Sequence, residues 1–105
     1  MIYKKLMKNQ EDYFNVLRKI QQKPSSSQRE LAKDTGFSLG KLNYCLNALK
    51  DKGLIKIKNF KKNPNKLNYF YTLTSKGLAE KTILTLNFMK KKIKEYDDLK
   101  KELEK

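Results

Sequence analysis

The sequence SQRELAKDTGFSLGKLNYCLNALKDKG, from Ser27 to Gly53, predicts two short helices in immediate succession. Ser27 and Glu30 fit a capping box, in which the serine hydroxyl accepts from the third backbone N–H and the glutamate reaches back. Glycine tolerates a left-handed stop, so the first of these helices should end at Gly36. Ser38 is the next cap, and the second helix should stop at Gly53. A turn of about three residues that contains glycine joins the two helices, which is the spacing of a helix-turn-helix.

The second of these helices should have one buried and one solvent-facing side. Its apolar residues follow a helical spacing at about 100° per residue and are expected in the core: Leu42, Cys45, Leu46 and Leu49. Cys45 is therefore expected to be a core thiol rather than a redox sensor. The opposite side carries amides, a phenol, a lysine and Gly40, with no acid before Asp51. Such side chains can meet base edges and phosphates, and glycine allows close approach of a nucleic-acid backbone. The alternative is an ordinary solvated face.

A lysine-rich hairpin is predicted after the second helix. Residues 54–60 alternate apolar side chains with lysine, and residues 68–74 are rich in aromatic and β-branched side chains. Residues 61–66 between them have the proline and asparagine of a turn. Five lysines lie on the predicted tip and outer edge: Lys56, Lys58, Lys61, Lys62 and Lys66. A hairpin of this kind beside a DNA-reading helix is a wing that follows the duplex. The alternative is a charged edge strand that only prevents aggregation.

Helices are also predicted on both sides of this central segment. Residues 9–23 should form an amphipathic helix that ends before Pro24 and has one apolar face: Tyr13, Phe14, Val16, Leu17 and Ile20. A final helix, capped by Ser75, should run to Lys105, with Ile83, Leu84 and Phe88 packed on the domain body. Its remaining apolar residues recur in steps of three and four, a heptad seam with one lysine: Ala79, Thr82, Leu86, Met89, Ile93, Tyr96, Lys100 and Leu103.

Positive charge is concentrated in the middle of the chain. The 105 residues include 25 Lys and Arg against 11 Asp and Glu, which gives a net charge of +14. Residues 35–79 hold nine lysines and only Asp51, a net charge of +8. Codon bias would spread lysine evenly without removing acids from one stretch. We therefore expect the lysines from 41 to 76 to form one cationic saddle around residues 38–47, facing a polyanion.

Several classes of protein are excluded by what the sequence lacks. There is no histidine, a single cysteine and only four scattered glycines. The commonest general base, a structural zinc site and a phosphate loop are therefore missing, so no enzyme activity, metal or cofactor is expected. A charged start and one cysteine argue against secretion. No apolar window approaches the ~18 residues of a membrane span, so we expect a cytoplasmic protein without membrane contact.

The order of these elements resembles a winged helix-turn-helix. Residues 28–36 (QRELAKDTG) look like its first half, residues 46–55 (LNALKDKGLI) resemble the exit from a recognition helix, and residues 73–77 (LTSKG) resemble the junction after the wing in MarR-type regulators. The chain is similar in length to the short MarR-family group of exopolysaccharide-associated transcriptional regulators. The resemblance implies a mainly α fold with a two-stranded β wing and a long C-terminal helix. It also implies a dimeric bacterial regulator linked to exopolysaccharide genes.

The sequence departs from the family pattern at two places. The usual Asp-x-Arg at the wing tip is replaced by residues 63–66 (NPNK), so an arginine in the minor groove is not expected. Lys62 or Lys66 would contact phosphate there instead. The sequence lacks the further C-terminal helices with which larger relatives build dimer interfaces and ligand pockets, so the resemblance does not imply a small-molecule effector, and whether one acts here is left open.

The hypothesis is a homodimeric regulator that binds specific sites on double-stranded DNA, with a DNA-binding domain at residues 1–78 and a dimerisation helix at residues 79–105. The residues predicted to face the major groove are Ser38, Gly40, Lys41, Asn43, Tyr44 and Asn47. The residues predicted to hold phosphates are Ser27, Gln28 and Arg29 at the first short helix, and Lys58, Lys61, Lys62 and Lys66 on the wing. The predicted dimer interface comprises Leu86, Met89, Ile93, Tyr96 and Leu103.

Two other functions fit part of the pattern. One is a winged-helix adaptor without specific DNA binding, whose long helix docks a different protein. The other is a single-stranded nucleic-acid binder, in which Tyr69, Phe70 and Tyr71 would stack on bases. Strand alternation disfavours this second function because it turns Tyr69 and Tyr71 together toward one face, expected to be the core.

Overall fold

The computed structural model describes the backbone of residues 2–63 and 66–105 and the side chains of residues 10–58 and 70–105. In these residues, four helices accompany one antiparallel sheet of two strands. The elements in chain order are α1 (Ile2–Gln22), α2 (Gln28–Thr35), α3 (Leu39–Asp51), β1 (Ile55–Asn63), β2 (Lys66–Leu73) and α4 (Ser75–Leu103). This confirms the predicted class, mainly α with a two-stranded wing.

Local capping sets the ends of α2 and α3. The Ser27 hydroxyl accepts from the backbone N–H of Glu30 at 3.1 Å, and the Ser38 hydroxyl accepts from that of Lys41 at 3.1 Å. Gly36 closes α2 in the left-handed conformation, with φ of 76°. The starts and stops predicted for this helix pair are thereby confirmed, and the chain turns from α2 to α3 within three residues.

The core is formed where α1, α2 and α3 meet the base of the hairpin. All four predicted core residues of α3 are buried, as are Val16, Leu17 and Ile20 of α1. Tyr13 and Phe14 are half-buried against this cluster. The first helix begins at Ile2, seven residues before the predicted start, and the lysines, leucine and methionine of its first turns are good helix formers.

The hairpin is longer than its sequence predicts. Its strands run to Asn63 and from Lys66, so residues 61–63 continue the ladder instead of forming the turn. The two positions of the predicted turn that remain, Pro64 and Asn65, lie outside the described residues. Ile57 pairs with Tyr71 on the inner face, where Tyr71 is 1% exposed, which confirms the predicted alternation there. The side chain of Tyr69 lies outside the described part of the chain.

The last helix begins at a different cap from the one predicted. Thr74, not Ser75, is the N-cap: its hydroxyl accepts from the Gly77 N–H at 3.0 Å and donates to the Gly53 carbonyl at 2.6 Å. The contact with Gly53 is tertiary, so the sequence alone could not favour threonine over the neighbouring serine. The helix then continues for 29 residues and crosses the predicted domain boundary without a break.

Only the first half of α4 packs on the domain body. Leu84 is buried, and the ring of Phe88 stacks on that of Phe14 with centroids 5.0 Å apart. Ile83 is predicted to pack beside them but is 52% exposed. Successive helical residues differ by about 100°, so the neighbour of a buried Leu84 turns away from the body. From Met89 onward every residue is exposed. Among the described helices, none carries an apolar stretch long enough to cross a lipid bilayer.

Candidate nucleic-acid interface

The outer side of α3 presents the six residues predicted to face DNA. All of them are exposed, and Tyr44 is the most prominent large side chain at 65% exposure: Ser38, Gly40, Lys41, Asn43, Tyr44 and Asn47. The first turn of α3 also lies at the positive end of the helix dipole, where free backbone N–H groups favour anions. The structure therefore brings these residues together on one solvent-facing surface, which we call the α3 face.

A second group lies at the start of α2. Ser27 and Arg29 are exposed and Gln28 is half-buried. The Ser27 hydroxyl already accepts the Glu30 N–H at 3.1 Å, so what it can still offer a phosphate is its own O–H donor. Arg29 is the more direct phosphate donor of the three, because its guanidinium is exposed on the helix surface.

The sequence of α3 predicts a face without acid, but an acidic side chain from another helix lies beside it. The Lys41 ammonium lies 3.3 Å from the carboxylate of Asp12, which projects from α1. The same ammonium lies 4.2 Å from the centroid of the Phe37 ring. Lys41 is thus held in place by two neighbours, and its charge is partly compensated. Asp12 was missed because only tertiary packing brings α1 against the start of α3.

A cluster of ionisable groups lies beneath Tyr44. Burial is the largest cause that raises the pKa of Tyr13, followed by the proximity of Tyr44, Cys45 and Asp12. Burial also raises the pKa of the Cys45 thiol, which is 2% exposed. Cys45 is therefore a protonated core thiol, as predicted.

The wing carries exposed lysines on its outer face. Lys56 and Lys58 are exposed, and Lys58 pairs across the ladder with Phe70. In the ladder, Lys61 of β1 pairs with Leu67 of β2. At the end of the ladder, Asn63 of β1 pairs with Lys66 of β2. The side chains of Lys61, Lys62 and Lys66, for which phosphate contacts are predicted, lie outside the described residues.

Two lysines of the predicted saddle are engaged by groups of the protein. Lys52 lies over the Tyr13 ring, 4.7 Å from its centroid, and Lys76 donates to the Lys52 carbonyl at 3.1 Å. Both lysines therefore make contacts at the C-terminal end of α3. This arrangement depends on where α4 begins, which the spacing of the lysines does not indicate.

A cavity lies beside these two lysines, between α1 and α4. Its volume is about 350 Å³, and it is lined by Gln10, Tyr13, Leu17, Lys52, Leu54, Lys76, Glu80 and Leu84. The sequence gives no sign of it, because its walls come from three separate segments of the chain. Within the described part of the chain, no group of three or more acidic or cysteine side chains is arranged to hold a metal ion.

A capped helix pair, an exposed second helix and a following β hairpin define a winged helix-turn-helix protein. Residues 14–56 match the family model described as winged helix-turn-helix DNA-binding. No curated protein matches the sequence.

Solved structures with this fold include three regulators. The PcaV transcriptional regulator from Streptomyces coelicolor is 18% identical, with a TM-score of 0.66 over 74% of this chain and 54% of that one. Staphylococcus aureus MarR is 22% identical, with a TM-score of 0.65 over 82% and 56%. Streptococcus pneumoniae FabT, solved in complex with DNA, is 22% identical, with a TM-score of 0.61 over 82% and 58%.

The chain spans little more than half the length of these three structures. It shares with them the winged helix-turn-helix fold, and the predicted resemblance to MarR-type regulators is confirmed at the level of the fold.

Proposed function

We propose that this protein is a cytoplasmic transcriptional regulator that binds specific sites on double-stranded DNA as a homodimer. The observation that carries the proposal is the α3 face. The helix buries Leu42, Cys45, Leu46 and Leu49 on one side and exposes amides, a phenol and a lysine on the other. An α-helix fits the major groove, where amide side chains pair with adenine and hydroxyls pair with several bases.

The flanking elements supply the phosphate contacts in this proposal. Arg29 at the start of α2 and the exposed Lys56 and Lys58 of β1 would neutralise phosphates on either side of the groove. The phosphate contacts would be extended along the DNA backbone by Lys61, Lys62 and Lys66. Because each contact releases a counterion, affinity should fall steeply as salt is raised.

The homodimer is proposed to form through the seam of α4: Leu86, Met89, Ile93, Tyr96 and Leu103. All five are exposed, from 52% for Leu86 to 88% for Leu103. A line of large apolar side chains this exposed is unusual on a monomer and marks an interaction surface. The proposed link to exopolysaccharide genes rests on the resemblance of the sequence to the short MarR-family group.

Selection of bound fragments from a random DNA duplex library tests the proposal. The expected product is a site with two symmetric halves whose centres are about one helical turn, ~34 Å, apart. On that duplex, Asn43→Ala and Asn47→Ala should each lower affinity by roughly 5- to 150-fold, since a good base contact contributes about 1–3 kcal/mol. Asn87→Ala, an exposed asparagine of α4, is the matched control and should have no effect.

The salt dependence of DNA affinity distinguishes the phosphate contacts of the wing from the base contacts of the α3 face. Lys56→Ala with Lys58→Ala should weaken binding to all sequences alike and lower the salt slope by about one for each phosphate that is no longer neutralised. Lys94→Ala on α4 is the control for removal of a positive charge. A monomer that binds no duplex at low salt would overturn the proposal and favour the adaptor function, in which α4 docks another protein.

A further inference from the structure

The second half of α4 carries an apolar seam that the rest of the described chain leaves uncovered. Leu84 and Phe88 face the body, whereas Leu86, Met89, Ile93 and Tyr96 lie on a different side of the same helix. Every residue after Phe88 is exposed. Most of the stability of a helix in a protein comes from packing of its apolar side, so covering this seam would stabilise the last turns of α4.

Charge in residues 90–98 of α4 is divided into two blocks of opposite sign. Four lysines come first, with no acid among them: Lys90, Lys91, Lys92 and Lys94. Three acids then follow within four residues: Glu95, Asp97 and Asp98. The structure pairs one member of each block within the helix, Lys92 with Glu95 at 3.5 Å, and the other groups of both blocks project into solvent.

We propose that a second copy of this chain covers the seam in an antiparallel coiled coil whose centre lies between Ile93 and Tyr96. This inference rests on the proposed homodimer and specifies its geometry. In this register Ile93 packs on the partner's Tyr96, and Leu86 packs on the partner's Leu103. Lys90, which flanks the seam on one side, then meets the partner's Asp97, and the symmetric contact forms at the other end.

Charge complementarity selects this arrangement over a parallel pair. Parallel helices would bring the two lysine blocks side by side and would place Lys100 opposite its own copy in the seam, where like charges repel. The contact between Lys92 and the partner's Asp97, formed once on each side, would not remove either repulsion. Antiparallel helices instead lay the lysine block of each chain against the acidic block of the other, and their opposed dipoles also attract.

Charge also selects the register. If the antiparallel pair were shifted by one heptad toward the domain bodies, Lys90 would face the partner's Lys90 and Lys92 would face the partner's Lys92. The proposed register avoids both contacts. In this register the two Leu84 residues, at which each α4 packs on its own domain body, lie about 32 Å apart along the shared axis. The distance follows from the helical rise of about 1.5 Å per residue. This separation is of the order of one turn of DNA, the usual spacing of half-sites.

Disulfide formation between engineered cysteines tests the orientation in solution without DNA. In a Cys45→Ala background, Leu86→Cys and Leu103→Cys are made in separate chains of different mass, mixed and oxidised. The expected product is the mixed disulfide between positions 86 and 103, with little of either homotypic product. A homotypic disulfide at position 103 would show a parallel pair and overturn the inference, while leaving the proposed DNA-binding function untouched.

Charge reversal tests the register. Lys90→Glu and Asp97→Lys should each weaken self-association, on the order of fivefold or more, and the double variant should restore it to within about twofold. Lys94→Glu changes the charge equally on the side away from the seam and is the control. Sedimentation measures the association, and circular dichroism checks that α4 stays folded.

Failure of the double variant to recover, or a folded monomer at all concentrations, would overturn the inference. Binding of the selected duplex reports on the proposed function separately.

Discussion

The Lys41 ammonium on α3 lies 3.3 Å from the Asp12 carboxylate on α1, so an acid sits at the edge of the proposed DNA interface. The carboxylate is largely enclosed, whereas the lysine remains partly open to solvent. The pair fixes the direction of Lys41 but also lowers the positive potential that a phosphate would meet. Removing Asp12 separates these two effects.

Asp12→Asn should raise duplex affinity severalfold. The substitution removes a negative charge next to the DNA and releases Lys41 from an ion pair of about 0.2–1 kcal/mol. Fluorescence anisotropy at two salt concentrations measures the change, and Glu11→Gln, an exposed neighbour on α1, is the charge-matched control. A fall in affinity would show instead that Asp12 is needed to position Lys41.

Gly40→Ala should stabilise the fold while weakening DNA binding. A Cβ at this position meets nothing within 4 Å, so the added methyl causes no clash in the free protein. Alanine favours a helix over glycine by up to about 1 kcal/mol. The same methyl would stand between α3 and a closely approaching DNA backbone. Urea unfolding and duplex titration on one preparation check both effects, and unchanged affinity would exclude close approach at this point.

Gly77→Ala should destabilise the protein by about 3 kcal/mol, at the upper end of overpacking effects. The start of α4 lies so close to the residue before β1 that a Cβ on Gly77 would overlap the Leu54 carbonyl oxygen. That oxygen also accepts the Thr74 N–H at 3.0 Å, so it cannot shift without breaking the junction. Urea unfolding measures the decrease, with Gly40→Ala as the same chemical change in open space. Wild-type stability in Gly77→Ala would show that the junction can relax.

Stability should decline as pH rises above about 9. Burial raises the pKa of the Cys45 thiol above its usual 9.0 and that of the Tyr13 phenol above its usual 10.0. The unfolded chain therefore loses these protons first, so stability is unaffected below the unfolded pKa and falls as pH rises through the folded values. Urea unfolding at pH 8 and pH 10.5 measures the decline. Cys45→Ala should reduce it, and an equal decline in that variant would contradict a contribution from the thiol.

Helix ends in the centre of the chain could be predicted because they depend on neighbours in sequence. Ser27 and Ser38 cap α2 and α3 through N–H groups three residues away, and Gly36 closes α2 by its own backbone freedom. The residues of the α3 face followed in turn, because helical periodicity separates them from the buried side. The cap of α4 lies one residue earlier than predicted, since Thr74 is held by the distant Gly53 carbonyl.

The surroundings of the candidate site could not be predicted in the same way. Neither Asp12 beside Lys41 nor Tyr13 beneath Lys52 follows from spacing, because α1 is a separate helix and its rotation is set by core packing. The hairpin was also predicted too short. A lysine can continue a strand or begin a turn, and the ladder opposite it decides between them.

The order of the elements, the buried side of α3 and the uneven distribution of charge follow from the amino-acid sequence, because they depend on local capping, helical periodicity and composition. Only the packed fold shows which lysines remain available to a ligand, which side of α4 packs on the body and which side stays open. Ion pairs, ring contacts and helix faces join residues that are distant in the chain, and the packed core sets their distances.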